Sequence, residues 1–438
     1  PSRPRRVIAA HSVPHDARRA GARPGRAELD LEALWPAVLA ALETVVGAAG
    51  AAPVGGIGVT GQMHGLALLR PDGMPLAPAI TWQDQRACER DEVGDTYLAR
   101  YVREAGGPEA FARTGGVPAT GYLGPSLYWL SREGLLPTSP AVACLIPDAI
   151  VARLTGGPPV TDPSDAASTG LFDVVSGAWD QGLIARLGLP ASLLAPVRPS
   201  GEVAGGLRDD VARRLGLAAG TPVAVAIGDN QASYIGSVRA ASRGLLINIG
   251  TGAQISAWSE RFVRARGLEA RPFPGAGYLL VGAGLYGGES YALLRDLFRR
   301  VGRAFFGARG DEALYDAMNR LAAEAPPGSD GLRCVPLFSG TRDDAAVRGA
   351  FEGVSGENLT PGHLARAVLE GVAEQLHALS VAVTTQSGPR PEVVGAGNAI
   401  ARNPLLARIL ATRFGAALRL PAFEEPAAVG AALLAATA

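Results

Sequence analysis

The sequence predicts an α/β protein in two halves, and three observations carry that prediction. Short apolar runs of strand character alternate with segments of helical spacing along the whole chain. Several of those runs end in glycine-marked turns, as strands of an open α/β sheet do where they feed a helix. The length, 438 residues, exceeds one ordinary domain and suits two with sizeable cores.

Taken in order, "RRVIAAHSV" and "GGIGVT" read as strands. Between them Leu31, Leu34, Val38 and Leu42 recur at helical spacing behind an N-cap at Asp30. "AVACLI" leads into a helix over "PDAIVARLTGG", closed by glycine, and residues 208–220 form a further helix ending in a Gly-Thr-Pro turn. "VAVAI" then opens a second α/β block with "GLLINIGTG" and "AGYLLVGAG" as strands. A long helix follows near residues 292–301, and another is capped at Thr360-Pro361. "PEVVGAG", a helix, "ALRLP" and a last helix from Pro426 close the chain. Linkers near Pro158 and Pro326 read as surface excursions, and the boundary between the halves is expected near residue 217. That gives domains 1–216 and 217–438.

Composition narrows the function. Hydrophobic residues at 47% and charged residues at 19% exclude a disordered chain. There is no lysine; all 41 basic side chains are arginine. A Walker-type phosphate loop, a protein-kinase catalytic site and a Schiff-base enzyme each need a lysine, so all three classes are excluded. Any nucleotide must be held by backbone amides, arginine and a metal. Net charge is zero and no basic tract stands out, which gives no sign of a nucleic-acid partner or an anionic membrane. Every long apolar run is interrupted by Gly, Pro or charge, and "PSRPRR" lacks a signal-peptide core. Cys88, Cys144 and Cys334 have neither metal-type spacing nor an even disulfide count. The expectation is a soluble cytoplasmic protein with no membrane partner.

Five stretches have chemistry in them. In "GVTGQMHGLALL" two scarce side chains, Met63 and His64, sit on a glycine-flanked turn after a strand. In "VAVAIGDNQAS" Asp229 stands at the carboxyl end of a strand, where ligands of open α/β sheets collect; an N-cap is the alternative. In "LLINIGTGAQIS" Gly250, Thr251 and Gly252 form a tight turn able to hold phosphate oxygens, or a plain hairpin turn. In "VVGAGNAIARNPLL" Gly395 and Gly397 allow close backbone approach of a base or ribose, with Asn403 a helix cap before Pro404; a structural turn is the rival. "TWQDQRACERDE" crowds Trp82, Asp84 and Arg86 in a manner suited to a sugar, or to a helix start with a solvated charged face. A turn-rich segment holding Asp162, Ser164, Asp165 and Ser168 is explained by turn chemistry.

Together, "GQMHG", "TWQDQR", "SDAAST", "GDNQAS", "NIGTGAQ", "PLFSGTRDDAAVRGAFEGV" and "GAGNAIARN" resemble, in order and across almost the whole chain, the FGGY family of carbohydrate kinases. The resemblance implies α/β architecture with two ribonuclease-H-like, actin-like ATPase domains flanking a cleft. It implies an ATP-dependent phosphotransferase acting on a small-molecule sugar, with Mg²⁺, as a monomer or homodimer. The combination of "TWQDQR", "GDNQAS" and "GAGNAIARN" looks most like sedoheptulokinase, with xylulose- and ribulose-type kinases close behind and a non-catalytic pseudokinase as the rival from another class.

Carried over by motif, His64 and Met63 line the sugar pocket with Trp82, Asp84 and Arg86. Asp229 becomes the general base for the primary hydroxyl and a contact to the metal, and Asn230 and Gln231 hold the sugar end. Gly250, Thr251 and Gly252 hold phosphates, and Gly288, Gly395, Gly397 and Asn403 the nucleoside. The chain departs from the family in two places. It lacks the opening β-hairpin with Asp-x-Gly-Thr-Thr, so that "RRVIAAHSVPHD" corresponds to the third strand of the first sheet. Poor folding and weak activity are therefore expected of the chain as written. Ser126 stands where many relatives carry lysine.

Overall fold

The computed structural model describes residues 6–19, 23–50, 52–307, 313–338, 340 and 347–437. Its largest sheet has six strands in the order Glu269–Pro272, Tyr278–Tyr286, Gly252–Ser259, Gly244–Ile249, Glu392–Ala396, Leu418–Arg419. The first four are antiparallel neighbours, and the last three run parallel. Strand alternation decides the packing. Leu245, Ile247 and Ile249 point to one face, where Leu369, Val372 and Leu376 of the helix Pro361–Ser387 cover them. Leu246 and Val394 point to the other, against Tyr234 of the helix Asp229–Ser237.

The first half is built differently. Its strands are short: Glu28–Leu29 pairs with Ala79–Ile80 and Ala67–Leu69 with Val142–Cys144, the Leu66–Ile80 bridge joins the two pairs, and cores rich in aromatic and aliphatic side chains surround them. Residues 6–13, expected as a strand, have no strand partner and no regular structure, and Val7 and Ile8 are exposed. An apolar run becomes a strand only where another strand satisfies its backbone groups.

Residues 222–228, expected to open the second half, pair with the first. Pro222–Ala224 joins Val203–Gly206, and Ile227–Gly228 runs parallel to Thr60–Gly61, with Ile227 opposite Thr60. The C-terminal helix Pro426–Ala435 also returns here, so close to the helix Asp229–Ser237 that a Cβ on Gly236 would meet Pro426 O. The helix Leu31–Ala49 is long and apolar enough by composition to cross a membrane. It carries Glu32, bound to Arg153, and buries Leu39 against Val151, Leu154 and Val211. The halves meet through Ala166, Phe172 and Val174 of the first and Phe262 and Tyr278 of the second, with Arg264 on Glu109 at 2.7 Å.

Candidate active site

Two neighbouring parallel strands end side by side, and each delivers a candidate group. Thr60–Gly61 leads into the Met63–His64 turn, and Ile227–Gly228 into Asp229. The carboxyl ends of parallel strands are where such sheets place ligands. His64 has a φ of 68°, one of three described non-glycine residues in the left-handed region. Strain of this kind costs about 1–3 kcal/mol and persists only where the surroundings impose it. Here they do: the His64 N–H donates to Ser168 Oγ at 3.1 Å, Nδ1 lies 2.8 Å from Ser168 O, and the ring stacks on Tyr122 at 3.9 Å. Because a carbonyl only accepts, Nδ1 bears the proton in the neutral ring. Gly65 closes the turn with a φ of 94°, and a Cβ there would fall 2.7 Å from Ile80 O.

Asp229 is the first residue of its helix, and Gly228 occupies the cap position without a side-chain cap bond. The Asp229 carboxylate accepts the backbone N–H groups of Asp229 and Asn230 and sits partly exposed, where helix N-termini favour negative charge. Burial nevertheless pushes its pKa up to about 6, with the Arg271 charge pulling the other way. The Gly228 N–H donates to Ser164 Oγ at 2.9 Å, and Ser164 in turn donates to Asp162. Asp162 also accepts from Ser200. This chain anchors the strand end that presents Asp229.

Asn230 accepts from Gln254 at 2.7 Å, tying the Asp229 helix to the strand just after the Gly250–Gly252 turn. That turn is both things its sequence allowed: a hairpin, with Gly250 N–H on Gly252 O at 3.0 Å, and an exposed one. Its carbonyls receive the Gly288 and Glu289 amides at the start of the helix Gly288–Phe306. A cavity of about 360 Å³ opens beside that helix start, lined by Gly288, Tyr291, Tyr315, Asn319, Asn398 and Asn403 among others. Asn403 caps the helix Pro404–Phe414 and donates to Asn319 Oδ1, which also receives the Tyr291 hydroxyl at 2.9 Å. The apolar walls with a few convergent amides suit a nucleoside.

The residues 2–236 match the N-terminal domain, and 245–438 the C-terminal domain, of the FGGY family of carbohydrate kinases. The chain belongs to that family. A glycerol kinase from Myxococcus xanthus (strain DK1622) is 31% identical over 435 residues, covering 94% of this chain and 82% of the relative. A xylulose kinase from Staphylococcus xylosus is 28% identical, covering 98% and 86%. The crystal structure of xylulose kinase from Rhodospirillum rubrum superposes with a TM-score of 0.83 at 29% identity, covering 95% and 82%. The protein is therefore an ATP-dependent carbohydrate kinase, a phosphotransferase with a hydroxyl acceptor, on the two-domain actin-like ATPase fold.

Within this FGGY kinase the expected site residues are not all used alike. Trp82 is exposed beside the Met-His turn, where a Cβ on Gly121, next to Tyr122, would touch its carbonyl. Asp84 and Arg86 are buried and bind each other, Nε to Oδ1 at 2.8 Å and Nη2 to Oδ2 at 2.9 Å, with Glu28 on Arg86 as well. Gln231 donates to Pro272 O. Gly395 lacks a side chain because Leu418 fills that space, and Gly397 because Ile249 O would lie 2.4 Å from a Cβ; neither lines the cavity. Of the "PLFSGTRDDAAVRGAFEGV" stretch, residues 339 and 341–346 lie outside the described residues. Sequence reasoning did not pick out Gln254, although it ends the "NIGTGAQ" motif, nor Arg271, Tyr122, Tyr291 or Asn319, which lie outside the quoted motifs. Ser126 is buried with no hydrogen-bond partner for Oγ.

Proposed function

We propose that the chain transfers the γ-phosphoryl group of ATP to the terminal primary hydroxyl of a ketose, with sedoheptulose as the first candidate. The observation that carries this reading is the pairing of Thr60–Gly61 with Ile227–Gly228, which sets Asp229 beside the Met63–His64 turn. Asp229 accepts the hydroxyl proton as the oxygen attacks in line, and a carboxylate with a pKa raised to about 6 is a better base than an ordinary one and still ionised at neutral pH. Met63 packs against the carbon chain, and His64 and Trp82 line the sugar end. The exposed Gly250–Gly252 turn cradles phosphates, and the cavity beside Tyr291 takes the nucleoside. Domain 1 runs past residue 216 at least to Gly228, whose strand pairs with Thr60–Gly61, and the helix Asp229–Ser237 then packs on the second-half sheet through Tyr234.

Among the described residues no three metal-ligating side chains converge. Mg²⁺ takes few protein ligands and keeps water and phosphate oxygens, so a single carboxylate, Asp229, with the nucleotide phosphates fits it. Once bound, the ion would neutralise charge developing on the transferred group.

A second reading keeps the chemistry and changes the acceptor to xylulose or ribulose, favoured by the likeness to the xylulose kinase of Rhodospirillum rubrum. Coupled ADP release with sedoheptulose, xylulose, ribulose, glycerol and gluconate separates the two. Turnover highest with sedoheptulose and abolished by Asp229→Asn is expected. Highest turnover with xylulose selects the second reading, and no sugar-stimulated release from a folded protein rejects both.

A further inference from the structure

Building on the kinase reading, we infer that Arg271 is a sugar-contacting residue, supplied by the C-terminal half, that selects an uncharged polyhydroxy acceptor over a sugar acid. Arg271 lies on the edge strand Glu269–Pro272 with its side chain 5% exposed. Glu269 takes two of its nitrogens, Nε at 3.0 Å and Nη2. The third, Nη1, meets Met63 Sδ at 3.2 Å. A thioether is a weak acceptor, and a buried guanidinium N–H gains by exchanging it for a hydroxyl oxygen.

Position makes that exchange relevant to the acceptor. Met63 Sδ is packed so tightly on Gly228 that a Cβ there would lie 2.9 Å away. Arg271 Nη1 is therefore one side chain removed from the residue preceding Asp229. The strand is tied down on both sides of Arg271. The Ala270 N–H donates to Gly115 O at 2.9 Å, and Gln231, on the Asp229 helix, donates to Pro272 O at 2.9 Å. The first tie joins the second half to the first, and the second binds the strand to the helix that carries Asp229, so the donor is fixed where the halves meet.

Charge sets the acceptor class. Glu269 neutralises Arg271, and Asp229, within reach of the Arg271 charge, contributes a further negative charge. The carboxylate of an aldonic acid entering here meets net negative surroundings. A hydroxyl meets one directed N–H.

The test compares Arg271→Met, Arg271→Lys and Glu269→Gln with the unchanged protein. Calorimetry reads binding of sedoheptulose, xylulose, xylitol and gluconate, and coupled ADP release reads turnover. Arg271→Met is expected to weaken the accepted neutral sugar by about 10- to 100-fold, as loss of a charged hydrogen bond does. The KM for ATP stays within about twofold, because a contact to the sugar alone leaves nucleotide binding untouched. Arg271→Lys recovers part of the loss. Glu269→Gln removes a negative charge and is expected to improve gluconate binding relative to the neutral sugar by at least about threefold. A folded Arg271→Met protein with unchanged sugar affinity overturns the inference, as does parallel loss of sugar and ATP affinity, the mark of a strut. Sugar binding that depends on Arg271 without any ADP release supports the contact and overturns the kinase reading. ADP release indifferent to Arg271 does the reverse.

Discussion

The second half holds its functional turn on a six-stranded sheet covered on both faces, whereas the first half holds the Met63–His64 turn among strands of two or three residues linked by single bridges. In the sheet, ladder hydrogen bonds and alternating apolar residues place the Gly250–Gly252 turn, and the site chemistry is left to backbone. In the first half the turn is placed by side chains instead: Ser168 holds His64, and Ser164 holds Gly228. A site built on ladders tolerates changes to any one side chain, and a site built on buried hydroxyls and carboxylates does not.

The largest expected effect bears on the junction of the two regions. Asp229→Asn should lower sugar-stimulated ADP release by about 10²–10⁴-fold or more, the range for a positioned general base, while calorimetry still finds the sugar bound. Near-normal turnover would remove Asp229 as the base and leave the two halves without a shared catalytic group.

Two glycine substitutions sharpen the contrast. Gly65→Ala meets Ile80 O at 2.7 Å on a backbone with a φ of 94°, and Gly397→Ala meets Ile249 O at 2.4 Å at 91°. Each should destabilise by about 2–4 kcal/mol, since alanine fits neither the space nor the backbone. The first should raise the KM for the sugar and the second the KM for ATP, when measured well below the variant's melting temperature. A crossed result, with Gly397→Ala affecting the sugar, would break the division of labour between the halves.

How much of this was legible in the sequence follows the same line. The placement of Asp229 could be read because strand, glycine, aspartate and helix are consecutive. The Gly250–Gly252 turn could be read for the same reason. Gly395 was assigned to the nucleoside, yet its space is filled by Leu418, 23 residues further along. The run at residues 7–13 has strand composition, but composition cannot supply a pairing partner. Arg271 sits in "EARPF", a plain strand, and becomes part of the site only because the strand docks across the halves.

The pH profile tests the junction again, with a smaller effect. A base must be ionised, and Asp229 has its pKa raised to about 6 by burial. Sugar kcat/KM should therefore be flat at neutral pH and fall on the acid side, with the limb near that value if Asp229 is free of the metal and lower if Mg²⁺ sits on its carboxylate. A limb near the ordinary carboxylate value would show that Mg²⁺ or solvent, and not burial, sets the ionisation of Asp229.

The smallest effect concerns the buried carboxyls that distinguish the first half. Asp148, Asp162 and Asp165 are fully buried, and burial raises all three, Asp148 to about 8. Neither oxygen of Asp165 has a hydrogen-bond partner. An acid whose folded pKa is raised binds its proton more tightly folded than unfolded. Its stabilisation is complete below the unfolded value near 4 and is lost as pH rises toward the folded one. Asp165→Asn cannot ionise, so it should be more stable than the unchanged protein by about 1–3 kcal/mol at pH 8, with the advantage shrinking as pH falls toward 4. Chemical denaturation at the two pH values reads the difference. A variant equally destabilised at both would mean that the carboxyl contributes shape and hydrogen-bond geometry to the segment behind Ser168, not a buried charge.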